Sequence, residues 1–212
     1  MGFGKDDYTR TYFLGGVVDG VHIGVDGYKA FRAGLISEDR KEIVKEAGSV
    51  EGKIVVDIGC GRGEILKLCS IAGARICYGT DFAPAAVEIA RDFNYGDGRV
   101  VVYEQEAIDL DLPEKADIVF MADVVEHIPT KEMPYVYQGI RNNMNSGGRV
   151  VISTPAFGTN KSYRGLHCNY QTEGSLYAEM ECIGFTDIDV WEWERKKKAS
   201  GSSWLIAVAS TP

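Results

Sequence analysis

Val55-Val-Asp-Ile-Gly-Cys-Gly-Arg-Gly63, answered further on by Tyr78-Gly-Thr-Asp81-Phe82, is the stretch that decides the fold. A β-branched run that stops at three alternating glycines reads as a buried strand entering a tight turn, with a helix starting at Glu64. Glycines 59, 61 and 63 strip the Cβ from that bend, so the backbone can approach a polar ligand and keep amides free to donate. Asp81 closes a second strand over 75–80, where a carboxylate is placed to accept hydrogen bonds from both hydroxyls of a ribose. A dinucleotide fingerprint would carry its third glycine at residue 64, but Glu64 stands there, a poor neighbour for a diphosphate. That disfavours a nicotinamide dehydrogenase.

Outward from this bend, strands and helices alternate as in a parallel sheet covered on both faces. Strands are expected at 53–58, 75–80, 100–104, 116–121 and 149–153, with helices at 64–72, 83–93, 131–145 and 172–183. A further helix starts at Ser37 and ends at Gly48. At 172–175 the capping box is imperfect, because Ser175 stands where Glu or Gln is usual. Two closing strands, 186–194 and 203–210, flank Lys196-Lys-Lys-Ala-Ser-Gly201, a turn short enough to demand antiparallel pairing.

Residues 1–36 form a Gly- and Tyr-rich segment without helical or strand periodicity, ahead of a domain over 37–212. Such a segment buries little by itself, so it is a tail or a lid that orders over a ligand; its aromatic residues favour the lid. His22 within it is expected in lid packing or acceptor binding rather than chemistry.

A chain of 212 residues suffices for one α/β domain with a good core. A net charge of −8 offers no positive field to gather phosphodiesters, so nucleic acid is disfavoured as a partner. The basic run Arg195-Lys-Lys-Lys198 reads as a solvated turn. Five cysteines, with no C-x-x-C pair, suit a reducing compartment, and with neither a signal peptide nor a membrane span in view the cytoplasm is expected. The oligomeric state is not legible.

The glycine bend and Asp81 together resemble motif I and the acidic post-motif of class I S-adenosylmethionine (SAM) dependent methyltransferases, and the resemblance extends over about residues 38 to 209. It implies a single Rossmann-like domain with a seven-stranded, mostly parallel sheet and an antiparallel C-terminal hairpin. SAM carries a sulfonium and an ammonium and no phosphate, which makes Asp57 and Glu64 sensible near the loop. Carried over, Asp57 orders loop amides or water near the ammonium, and Gly59 and Gly61 pass close to the ribose and methionine. Asp81 grips the ribose, Phe82 lies against the adenine or simply packs in the core, and Glu106-Ala107 meets the adenine edge, although Asp is more usual there. Ala122 offers a carbonyl to the ammonium, and Tyr8 and Tyr12 of the lid close over the methionine carboxylate.

A second constellation, Asp123-Val-Val-Glu126-His127 with His167-Cys168 later on, follows the fourth and fifth strands of the predicted sheet, whose carboxyl ends share one crevice. Its spacing resembles the metal-binding set of small-RNA 2′-O-methyltransferases and ubiquinone-pathway O-methyltransferases. That implies a site of Asp123, Glu126, His127 and His167 for Mg2+ or another divalent cation, binding vicinal oxygens and lowering the pKa of an acceptor hydroxyl. The competing reading makes Glu126, His127 or His167 a metal-free general base, or Glu126 and His127 a helix cap. Cys168 adds a soft donor but lacks the paired Cys of a structural zinc site. The function expected is methyl transfer from SAM to a hydroxyl of a small molecule such as a sugar, polyol or phenolic metabolite. An N-methyltransferase using Glu126 or His127 as base, and a noncatalytic SAM-binding subunit, stand as alternatives.

Overall fold

The computed structural model describes residues 5–18, 21–23, 34–94, 96–158, 167–194 and 203–212. At its centre is a seven-stranded sheet. In chain order its members are β3 (Ile54–Ile58), β4 (Ile76–Asp81), β5 (Val100–Glu104), β6 (Ala116–Ala122), β7 (Met144–Pro155), β8 (Thr186–Glu194) and β9 (Ser203–Ser210). They lie side by side in the order β5-β4-β3-β6-β7-β9-β8. Pairing is parallel from β5 through β7, and β9 joins antiparallel to both β7 and β8. This is the mostly parallel sheet with an antiparallel ending that the sequence predicts. Chain direction across the sheet reverses at β3 and β6, and the crevice outside their carboxyl ends is where an open α/β sheet receives ligands.

Alternation along the strands feeds two cores. Ile54, Val56 and Ile58 of β3 face one layer with Val119 and Met121 of β6, under helices α5 (Met133–Asn142) and α6 (Glu173–Ile183). Val55 of β3 and Ile118 and Phe120 of β6 face the other, against Ile43 of α2 (Glu38–Glu46) and Leu66 and Cys69 of α3 (Glu64–Ile71). The fully buried Leu66 also closes onto Gly79 of β4, where a Cβ would stand 2.5 Å from Leu66 Cδ1. Truncating Leu66 to Ala costs about 3 kcal/mol by lost transfer and the cavity left behind. Helix α4 (Pro84–Phe93) completes this layer through Val87 and Ala90.

Three local differences from the sequence expectation have physical causes. The segment ahead of the sheet is not without regular structure: α1 (Arg10–Leu14) is capped by the Thr9 side chain, and Gly16–Val18 (β1) pairs antiparallel with Val21–Ile23 (β2). These elements are too short for a period to show. Helix α5 is shorter than 131–145, because Met144 already pairs with Ala116 as the first residue of β7, which then runs through Gly147 and Gly148. The capping box at Thr172 is complete, with the Ser175 hydroxyl accepting from the Thr172 amide in place of a carboxylate. The basic run 195–198 and the turn to Gly201 lie outside the described residues.

All five cysteines are free thiols. Among the described residues no helix is long and apolar enough to cross a membrane.

Candidate active site

Beyond the carboxyl ends of β3, β4 and β6 lies a cavity of about 330 Å³. The glycine bend forms its floor. Gly59 has φ +66, and a Cβ there would stand 2.4 Å from Val124 Cγ2, so both conformation and space require glycine. Gly61 differs: a Cβ would meet only Phe13, at 3.8 Å, so its backbone fronts the cavity.

Asp81 ties this bend to the next strand. Its Oδ2 accepts from the Gly61 amide at 2.9 Å and its Oδ1 from the Ala83 amide at 2.9 Å. Burial pushes the Asp81 carboxyl up to about 6, with the two amides pulling the other way. Asp57, 2 % exposed at the end of β3, is pushed up to about 8 by burial; Arg40 opposes the shift and Asp81 and Glu64 add to it. Arg62 donates to Glu64 Oε2 at 2.9 Å and reaches back to the Phe13 carbonyl at 3.4 Å, so the bend is tethered to the N-terminal segment.

That segment is the roof. Tyr8 packs edge-on against Tyr12 and Phe82, each at 4.9 Å between ring centroids, and Phe13 follows Tyr12 at 5.0 Å. Outside, Arg10 pairs with Glu88 at 3.3 Å and Lys5 with Glu106 at 3.5 Å. Tyr12 and Phe82 therefore line the cavity, whereas Glu106 is half-exposed beside Lys5, and neither it nor Ala107 is in the lining. Ala122, the last residue of β6, is in it.

The polar part of the lining beside the bend comes from the turn after β6 and the arm at 167–171. The Glu126 side chain, 2 % exposed, accepts from Thr154 Oγ1 at 3.0 Å, and its backbone carbonyl accepts from the Cys168 and Asn169 amides at 2.8 and 3.2 Å. These bonds hold the His167 arm against His127, and the two imidazoles meet edge to face at 5.1 Å. Tyr8 closes the arrangement with its hydroxyl 3.1 Å from His127 Nδ1, and burial raises its phenol far above the ordinary value, so it stays protonated. Glu126, His127 and His167 bring ligand atoms within 4.8 Å of one another. A carboxylate with two imidazoles, one of its members buried, suits a divalent cation. Asp123 stands outside that cluster: its Oδ2 accepts from Arg40 Nη2 at 3.2 Å and its Oδ1 from Trp204 Nε1 at 3.0 Å.

Arg40 and Trp204 carry no signal in the sequence reading, yet both line the cavity. Ser37 caps α2 by accepting from the Arg40 amide, which places Arg40 in the first turn, with its side chain in the cavity lining and paired to Asp123. Burial would lower the Arg40 guanidinium, but Asp123, Glu64 and Asp57 together hold it raised. The His22 side chain lies outside the described residues.

The family model described as "Methyltransferase domain" matches residues 28–190. The chain belongs to the class I SAM-dependent methyltransferase family. This methyltransferase is 31 % identical over 114 residues to the ubiquinone biosynthesis O-methyltransferase of Pseudomonas putida strain GB-1, a match that covers 52 % of this chain and 48 % of that one. It thus spans about half the length of the curated relatives it matches. Its fold is shared by the N-methyltransferase NodS from Bradyrhizobium japonicum WM9, with TM-score 0.69 and 14 % identity over 86 % of this chain and 97 % of that one. It is also shared by a Haemonchus contortus phosphoethanolamine N-methyltransferase 2 in complex with S-adenosyl-L-methionine, at TM-score 0.73 and 17 % identity over 89 % and 57 %.

Proposed function

We propose that this methyltransferase moves a methyl group from SAM to a hydroxyl of a small molecule such as a sugar, polyol or phenol. The observation that carries the reading is one cavity lined by two unlike sets of residues. Asp57, Gly59, Gly61 and Asp81 line it together with Glu126, His127 and His167. SAM supplies an electrophilic methyl on a sulfonium, and its positive charges favour the ionised forms of Asp57 and Asp81, against the burial that raises both. Asp81, at the end of β4, is suited to the ribose, since a carboxylate has about four acceptor sites and two are used by amides. Phe82 and Tyr12 offer faces to the adenine and methionine. Glu106 and Ala107 belong to the adenine end of the same reading, with Glu106 exchanging Lys5 for the base. Ala122 is left for the ammonium, and Arg40 for the methionine carboxylate.

In the second set, Glu126, His127 and His167 take the acceptor. They offer a divalent cation one carboxylate and two imidazoles, a set better suited to a borderline ion than to Mg2+, and a bound cation would supply a lowered pKa for an acceptor hydroxyl. Without one, the same imidazoles serve as general base, and that variant suits an amine acceptor equally. Asp123 is better employed with Arg40 than as a ligand. Residues 1–36 act as the lid through Tyr8, Tyr12 and Phe13, excluding water while the acceptor oxygen is held in line, and such alignment is itself worth several kcal/mol. A purely binding role is disfavoured by the buried, fully tethered Glu126 turn in the same lining. The test is transfer of radiolabelled methyl from SAM to a panel of polyols, phenols and amines. Labelling of hydroxyl acceptors supports the reading, labelling of amines alone replaces it with the N-methyl one, and no transfer with intact SAM binding points to the noncatalytic role.

A further inference from the structure

We propose that Asp123 and Trp204 are positioning residues that aim Arg40 at the methionine carboxylate of the donor. The inference rests on the donor reading above and adds to it a relay from α2 to β9. Asp123 has φ +58, a left-handed conformation that side chains other than glycine adopt at a cost. Strain of this kind persists only where the surroundings over-determine it, and three contacts do so. The Asp123 amide donates to the Ser153 carbonyl at 2.8 Å, its Oδ1 accepts from the Trp204 indole at 3.0 Å, and its Oδ2 accepts from Arg40 Nη2 at 3.2 Å.

The far side of the guanidinium is different. Arg40 Nη1 is buried and has no hydrogen-bond partner, although Arg40 lines the cavity with Asp57, Ala122 and Trp204. A buried charged donor left without an acceptor is costly, and the planar fork of Arg is made for a carboxylate. One end of the fork is thus fixed by Asp123, and the other awaits an anion in the pocket. Asp57 lines the same cavity within electrostatic reach of Arg40 and offers a matching partner for an ammonium, so the group that completes the set is a free α-amino acid. Trp204 fixes Asp123 from a strand that sequence separates from Arg40 by most of the chain.

Titration calorimetry on the full chain distinguishes this from a merely structural Asp123. The probes are S-adenosylhomocysteine, which has the amino acid tail, and 5′-methylthioadenosine, which has the same adenosyl thioether without it. Asn tolerates the left-handed conformation, so Asp123→Asn keeps the turn, but its single carbonyl oxygen cannot replace two carboxylate oxygens for both Trp204 and Arg40. The expected result is about a tenfold loss of affinity for S-adenosylhomocysteine, with 5′-methylthioadenosine within about twofold of wild type. Trp204→Phe keeps the ring without the N–H and should show the same selective loss, about threefold. Equal losses for both probes, or unchanged S-adenosylhomocysteine binding in both variants, overturn the relay. Failure of the wild type to bind either probe overturns the donor reading instead.

Discussion

The Asp81 carboxylate holds the Gly61 amide at 2.9 Å, so the acid that closes β4 also fixes the shape of the bend that follows β3. Such a bond couples the loop to the protonation of a buried group. Asp81 titrates near 6 and Asp57 near 8, both raised by burial above the ordinary carboxylate value of 3.8. Between about pH 4 and 8 the folded chain therefore binds more protons than the unfolded chain, and stability falls as pH rises through that window. The unliganded protein should lose melting temperature steadily from pH 5 to pH 8. Asp57→Asn removes the neighbour of Arg40, Asp81 and Glu64 that titrates highest, and should flatten the upper half of the slope. A rising melting curve over the same range in differential scanning calorimetry would contradict this assignment.

Gly59→Ala places a methyl group 2.4 Å from Val124 Cγ2 at a φ of +66. Overpacking and left-handed strain together cost about 2 kcal/mol, roughly 4–8 °C in melting temperature for a chain of this size. Adding Val124→Ala relieves the clash and not the strain, so the double variant should recover only part of the loss. Full recovery would show that space alone selects glycine here.

The Tyr8 hydroxyl reaches His127 while its ring packs on Tyr12 and Phe82, so two substitutions separate the two roles. Tyr8→Phe should lower kcat about fivefold through the lost hydrogen bond and leave the Kd for S-adenosylhomocysteine unchanged. Tyr8→Ala should weaken that Kd as well. If Tyr8→Phe behaved like wild type in steady-state kinetics, Tyr8 would be a packing residue only.

Chelation addresses the Glu126, His127 and His167 cluster. Turnover in excess EDTA should fall and return on adding back a divalent cation, and Glu126→Gln should abolish that response. Unchanged turnover in EDTA assigns His127 and His167 to metal-free base chemistry.

How much of this was legible in the sequence varies with the range of the interaction. The central strands of the sheet show themselves because burial on both faces makes each a short apolar, β-branched run, and Gly59 because local backbone conformation demands it. Asp81 is recognisable by its place after a strand. Arg40 is not: a first-turn arginine on an amphipathic helix looks solvated until β6 and β9 bring Asp123 and Trp204 beside it. Asp123 reads as a metal ligand by spacing alone, yet after the left-handed turn that follows β6 its two carboxylate oxygens accept from Arg40 and Trp204. The short α1 and the β1–β2 pair escape because their few residues hold no period, and α1 rests on its Thr9 cap and on the packing of Tyr12 and Phe13.

Whether the glycine bend and Asp81 hold the donor is decided by isothermal titration of S-adenosylhomocysteine into the wild-type chain and into Asp81→Ala. Saturable binding at one site is expected, with about a hundredfold loss in the variant, as two charge-assisted bonds to a ribose worth about 3 kcal/mol disappear. Wild-type affinity in Asp81→Ala would contradict that role.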